Sequence, residues 1–156
     1  MPSDVATRAR QFIEAIPHAK ALGMEVRHVA DGVAEIAMPY DVRLIGDPAT
    51  GVIAGGAVSA LMDTCGGAAV MCHTEQAIGT ATIDLRIDYM RSATPGDTIV
   101  ARAECYHITR SVAFVRATAC DADRENPVAT AARAYTVERD TRGGLSRIRS
   151  SNDDAK

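Results

Sequence analysis

GGAVSALMDTCGGAAVMCHTE, residues 55–75, is apolar nearly all round, with only Ser59, Asp63 and Thr64 polar before His73. A helix with that pattern is buried instead of lying on a surface, so other elements must cover it on most sides. Gly66 and Gly67 in its middle each cost roughly 1 kcal/mol of helix stability relative to alanine. The expected compensation is close packing of another backbone against that turn.

Downstream of residue 78 the period switches from helical to alternating. In TIDLRIDYM (82–90), Ile83, Leu85, Ile87 and Tyr89 face one way, and Thr82, Asp84, Arg86 and Asp88 the other. Pro95-Gly96-Asp97 turns the chain into TIVARAECYHI (98–108) and SVAFVRATACD (111–121), joined at Thr109-Arg110. Asn126-Pro127 leads to a last strand, VATAARAYTVE (128–138). Upstream, LGMEVRHVA and VAEIAM flank Asp31-Gly32, a strong hairpin signal because both turn residues tolerate positive φ. Residues 39–54 read as a long loop, and residues 3–16 as a helix with Val5, Phe12, Ile13 and Ile16 on one side, stopped by Pro17. The order predicts an α+β fold, an antiparallel sheet of five or six strands wrapped around one long central helix. An N-terminal helix occupies 1–18, a single domain 19–138, and a polar tail, expected to be flexible, 139–156.

Composition narrows the function classes. The chain has 156 residues, 47% hydrophobic and 24% charged, which suits one globular domain. Its net charge of −3 makes no electrostatic case for nucleic acid as a partner. No apolar run approaches the roughly 20 residues of a membrane span. MPSDVATRARQFIEAI reads as an amphipathic helix instead of a signal peptide, so a cytoplasmic location is expected. Cys65, Cys72, Cys105 and Cys120 form no CxxC pair and no zinc spacing, so buried, reduced thiols and no metal are expected. Cys65 and His73 stand about 12 Å apart along a helix, too far for a nucleophile and its base.

Asp63 is the anomaly. An ionised carboxylate in the middle of an apolar helix loses hydration and needs partners. One reading is structural, an acceptor for neighbouring donors. The other is catalytic: Gly55-Gly56 opens the helix with N–H groups that lack intrahelical acceptors and can hold an oxyanion. Asp63 follows two turns later, about 10–12 Å up the axis.

GVIAGGAVSALMDTCGGAAV (51–70) resembles the active-site segment of PaaI-type hotdog-fold acyl-CoA thioesterases, and the resemblance extends through TATIDLRIDYMRSATPGD (80–97) to cover most of residues 20–138. It implies that Asp63 is the general base or nucleophile and that Gly55, with Gly56 beside it, polarises the thioester carbonyl. It also implies that Asp47 lies near the position of a loop Asn that orients water, and that Thr82 corresponds to a Ser/Thr bonding the water or carboxylate. Ala54 stands where the family usually carries histidine. The family's site is a composite of two protomers. Alternation puts Thr82 on the side of Asp84 and Arg86, so Thr82 is expected to reach a second copy and not Asp63 of its own chain. Arg91, Arg110 and Arg116 are candidates to pair with coenzyme A phosphates.

The leading expectation is therefore hydrolysis of an aryl- or fatty-acyl-CoA by a homodimer or a tetramer of paired dimers. Coenzyme A enters as part of the substrate, and no other cofactor is expected. The alternatives are a non-catalytic acyl-CoA-binding protein, favoured by Ala54, and a hotdog dehydratase, which resembles a His-plus-acid arrangement and ranks last because this chain has no histidine near the helix start. An Asp63→Asn change is expected to separate a catalytic carboxylate (rate lost, melting unchanged or higher) from a structural one (melting lowered).

Overall fold

The computed structural model describes residues 4–73 and 77–140. Helix α1 (Asp4–Ala15) leads into a short α2 (Pro17–Ala21). Pro17 ends the first helix as expected but also begins the second, because a helix's first residue has no need of its N–H. Strands β1 (Glu25–Ala30) and β2 (Val33–Met38) pair across the Asp31-Gly32 turn, where φ is 51° and 78°. Residues 39–54 are more ordered than a loop. A 3-10 turn (Val42–Leu44) precedes a small hairpin of β3 (Ile45–Asp47) and β4 (Val52–Ile53).

The apolar stretch forms α3 (Gly55–Met71). After it come β5 (Ala77–Gly79), β6 (Thr82–Tyr89), β7 (Ile99–Ile108), β8 (Val112–Cys120), β9 (Ala129–Thr136) and β10 (Glu138–Arg139). Six strands make one antiparallel sheet in the order β1-β2-β7-β8-β9-β6. α3 packs against β2, β7 and β8, and α1 covers α3 and β1. The core is built from small residues: Ala34, Ala101, Ala103, Ala113 and Ala119 of the sheet are fully buried, as are Leu61, Met62, Cys65, Ala68 and Ala69 of α3. Arg139, expected to begin the tail, belongs instead to β10, which pairs with β5. Residues 141–156, where the tail was expected, lie outside the described residues.

Two positions near the middle of α3 differ from expectation. It is the Tyr135 side chain, not a backbone, that fills the space at Gly66, where an added Cβ would sit 2.9 Å from the ring Cζ. At Gly67 nothing presses: an added Cβ would meet only the Thr80 methyl, at 3.8 Å.

No described helix is long and apolar enough to cross a membrane. All four cysteines are buried and free.

Candidate active site

β9 alternates strictly, and its inward positions are Ala129, Ala131, Arg133 and Tyr135. The last two reach Asp63. Arg133, whose side chain is wholly buried, donates from Nη1 to Asp63 Oδ1 at 3.1 Å and to the Tyr135 hydroxyl at 3.1 Å. The Tyr135 hydroxyl donates to the Asp63 carbonyl oxygen at 3.0 Å and lies 3.4 Å from Oδ1. Burial raises the Tyr135 phenol above its ordinary range, so it remains a donor.

Thr82 completes the set, donating from Oγ1 to Asp63 Oδ1 at 2.9 Å within the same chain. The expectation that it would reach only a second copy is corrected here. The β6–β9 register shifts between Thr82 and Asp84: Thr82 pairs with Tyr135 but Asp84 with Ala134. Ile83 is the extra residue of a bulge, and bulges re-aim side chains. Leu85, Ile87 and Tyr89, paired with Arg133, Ala131 and Ala129, keep the expected alternation. Thr82, across the bulge, joins their face.

Asp63 is not sealed in the core either. Its side chain is 42% exposed and opens onto a cavity of about 280 Å³. Oδ1 is held by Thr82 and Arg133, while Oδ2 has no partner among the described residues. Arg133 Nε and Nη2 are also unpartnered among them. A half-open carboxylate with one oxygen anchored and the other free can accept a proton from water or attack an electrophile.

The start of α3 forms a second place of interest. Ala54, its N-cap, offers no side-chain cap, and its N–H donates to Leu44 O at 2.8 Å. Ala57 and Val58 donate back to Ala54 O, whereas the Gly55 and Gly56 N–H groups meet no acceptor among the described residues. The Tyr89 hydroxyl donates to Gly55 O at 2.8 Å and pairs with Ser59 Oγ. Gly55 and Tyr89 help line a cavity of about 400 Å³ that shares no residue with the one at Asp63. Within one chain, the helix start and the carboxylate serve different cavities.

Of the remaining expected residues, Arg91 reaches the cavity at the helix start, whereas Asp47, Arg110 and Arg116 line neither cavity. Asp47 accepts from Ala49 N at 3.0 Å and from Thr50 Oγ1 at 2.7 Å, so its carboxylate braces its own turn. The Thr50 hydroxyl, then the Ala49 amide, lower its pKa. Arg91 borders the larger cavity, but all five of its N–H donors are engaged. It forms a bidentate pair with Asp121, both bonds at 2.7 Å, and bonds the Ser92 and Asn126 carbonyls. That arrangement leaves no donor for a phosphate. Arg116 lies over the Tyr106 ring and 3.7 Å from Glu104, on the face of the sheet away from α3. Arg110, in the β7–β8 turn, lends its carbonyl to Arg139 Nε. Among the described residues no group of three or more His, Cys, Asp or Glu is placed to hold a metal.

Sequence reasoning missed Arg133 and Tyr135. The signal was present: an arginine at an inward position of a strand whose other inward residues are alanines needs a buried acceptor. The only polar residues on the facing helix are Ser59, Asp63 and Thr64.

A profile of the thioesterase superfamily matches residues 50–128, which span β4, α3 and strands β5 to β8. Among solved structures, a protein from Pseudomonas aeruginosa is 36% identical, with a TM-score of 0.77, over 86% of this chain and 99% of that one. A mutant of the phenylacetic acid degradation protein PaaI from Thermus thermophilus is 25% identical, with a TM-score of 0.70, over 79% and 100%. The E. coli PaaI protein from the phenylacetic acid degradation operon is 20% identical, with a TM-score of 0.75 over 86% and 96%, and shares the fold. No curated protein matches. With the family profile across the helix and three of the six sheet strands, and near-complete overlap with these structures, the chain belongs to the thioesterase superfamily, as a PaaI-type hotdog-fold member.

Proposed function

We propose that the protein hydrolyses acyl-CoA thioesters, with Asp63 as the reacting carboxylate. The observation that carries this reading is the asymmetry of that carboxylate: Oδ1 fixed by Thr82 and Arg133, Oδ2 free at an open cavity. Oδ2 takes a proton from a water whose oxygen attacks the thioester carbon. The C–S bond then breaks, Oδ2 returns that proton to the leaving thiolate, which departs as coenzyme A, and the carboxylic acid remains.

The oxyanion donors come from a second copy. Gly55 and Asp63 of one chain lie about 12 Å apart along α3 and open onto different cavities. β6 is one of the two edges of the sheet, exposed or half-exposed along its whole length, with Ile83, Leu85 and Tyr89 among its exposed apolar residues. It runs from Thr82, beside Asp63, to Tyr89, beside Gly55. Two copies of β6 pairing antiparallel about a two-fold axis bring the Thr82 end of one against the Tyr89 end of the other. Gly55 and Gly56 of one copy thereby face Asp63 of the next, and two equal composite sites result.

Thiol release over a panel of aryl- and fatty-acyl-CoA esters tests the activity, and absence of release above background refutes it. Complementation tests the composite site. Gly55→Pro removes one N–H at the first helical position, where proline is tolerated and where the extended Ala54 (φ −59°, ψ 137°) suits a following proline. Losing such a donor typically costs about 100- to 1,000-fold in rate. Asp63→Asn and Gly55→Pro proteins, each inactive alone, regain activity when unfolded and refolded together. No regain means that each chain carries a complete site. The second reading, an acyl-CoA binder without turnover, is favoured by Ala54 in the family's histidine position and predicts binding of the same esters with no thiol release.

A further inference from the structure

Gly67 is a helix-interior glycine without a packing reason. Unlike Gly66, where the Tyr135 ring fills the space, Gly67 has only the Thr80 methyl near it, at ordinary contact distance. It lies one turn beyond Asp63 on the same face of α3, and both line the cavity of about 280 Å³. Phe12, Ile13 and Ile16 of α1 supply that cavity's apolar wall. Phe12 remains 46% exposed although α1 otherwise buries its apolar side.

We infer that Gly67 and the α1 wall form the acyl subsite, in which the missing side chain at position 67 leaves room for the body of an aryl or medium-chain acyl group; this rests on the thioesterase reading. A cavity lined by both the Asp63 carboxylate and the apolar side chains of α1 matches the two parts of such a substrate, a polar reacting carbon and a hydrocarbon body. A methylene takes close to the roughly 30 Å³ that a water has in the liquid. The cavity therefore holds about nine non-hydrogen atoms, the size of a phenylacetyl or octanoyl group. A leucine at position 67 adds four carbons and takes up nearly half of that space.

The test uses the full chain and two variants, Gly67→Ala and Gly67→Leu, with propionyl-, octanoyl-, phenylacetyl- and palmitoyl-CoA. Wild type is expected to prefer octanoyl- and phenylacetyl-CoA. In Gly67→Leu the ratio of kcat/KM for octanoyl- to propionyl-CoA falls about 10- to 100-fold, the range that small changes of fit in an apolar pocket produce. Gly67→Ala removes a helix-interior glycine without a clash, so its melting temperature rises by about 2–4 °C while the ratio falls less. An unchanged ratio in Gly67→Leu, or a lower melting temperature in Gly67→Ala, overturns the subsite. If the wild type hydrolyses no thioester, the catalytic reading is what has failed, and calorimetric binding decides the subsite. Octanoyl-CoA binding more tightly than propionyl-CoA, with that difference lost in Gly67→Leu, upholds it; equal binding of the two overturns it.

Discussion

Replacing Asp63 by asparagine keeps the shape of the side chain but removes the charge opposite Arg133. That guanidinium is wholly buried, and its Nε and Nη2 already lack partners among the described residues. Losing a charge-assisted hydrogen bond costs about 1.5–3 kcal/mol. Because the Asp63 side chain is 42% exposed, solvent screens part of this, and about 2 kcal/mol is the fitting magnitude. For a chain of this length that lowers the melting temperature by about 4–8 °C. Loss of general-base assistance lowers thiol release about 100- to 10,000-fold. Rate and stability therefore fall together, contrary to the sequence expectation that a catalytic Asp63 would leave melting unchanged. The double variant Asp63→Asn/Arg133→Met separates the two effects. It removes both charges, and replacing a buried pair with apolar groups of similar volume is often neutral or stabilising. Calorimetric melting is expected to return to near the wild-type value while thiol release stays lost. Recovery of turnover along with melting would refute the catalytic assignment, as would an Asp63→Asn protein within tenfold of the wild-type rate.

Gly66→Ala drives a Cβ into the Tyr135 ring and is expected to cost about 1–3 kcal/mol, read as lower melting, with activity falling because Tyr135 bonds the Asp63 backbone. The Arg91 pair, helped by the Thr94 and Asp123 amides, holds the Asp121 carboxyl well below its ordinary 3.8. A carboxyl lowered on folding contributes stability above its unfolded value and loses it as pH falls, so melting followed from pH 7 to 2 declines below about pH 4. Asp121→Asn flattens that decline; an unaltered acid limb counts against the pair. Burial pushes the Cys65 thiol up to about 12 and the Cys105 thiol to about 11. Neither is expected to react with Ellman's reagent at pH 8 until denaturant is added.

The fold was legible because its strongest signals are local and periodic. One helix apolar all round, a hairpin marked by Asp31-Gly32 and four later strands of alternating pattern leave few ways to cover that helix. The small β3–β4 hairpin and β10 were not legible, since two- and three-residue strands are defined by pairing across the chain and not by a period of their own. Gly66 and Gly67 look identical in sequence, yet one accommodates a tyrosine ring and the other faces a cavity. Residue identity alone carries no information on which neighbour fills the space.

Part of the site was hidden by a one-residue irregularity. Strict alternation assigns Thr82 to the face opposite Leu85, and a side-chain period of two makes any single insertion reverse that assignment. The bulge at Ile83 does so, turning Thr82 inward onto Asp63. Arg133 was hidden for the opposite reason, because strict alternation does hold in β9 and places a cation where only apolar groups were sought. A buried arginine is costly unless an acid faces it, and an acid in an apolar helix is costly unless a cation faces it. Read as a pair, two anomalies 70 residues apart point to each other, and each reduces the cost of the other. The same pairing accounts for how a carboxylate can persist in this helix with one oxygen left free for chemistry.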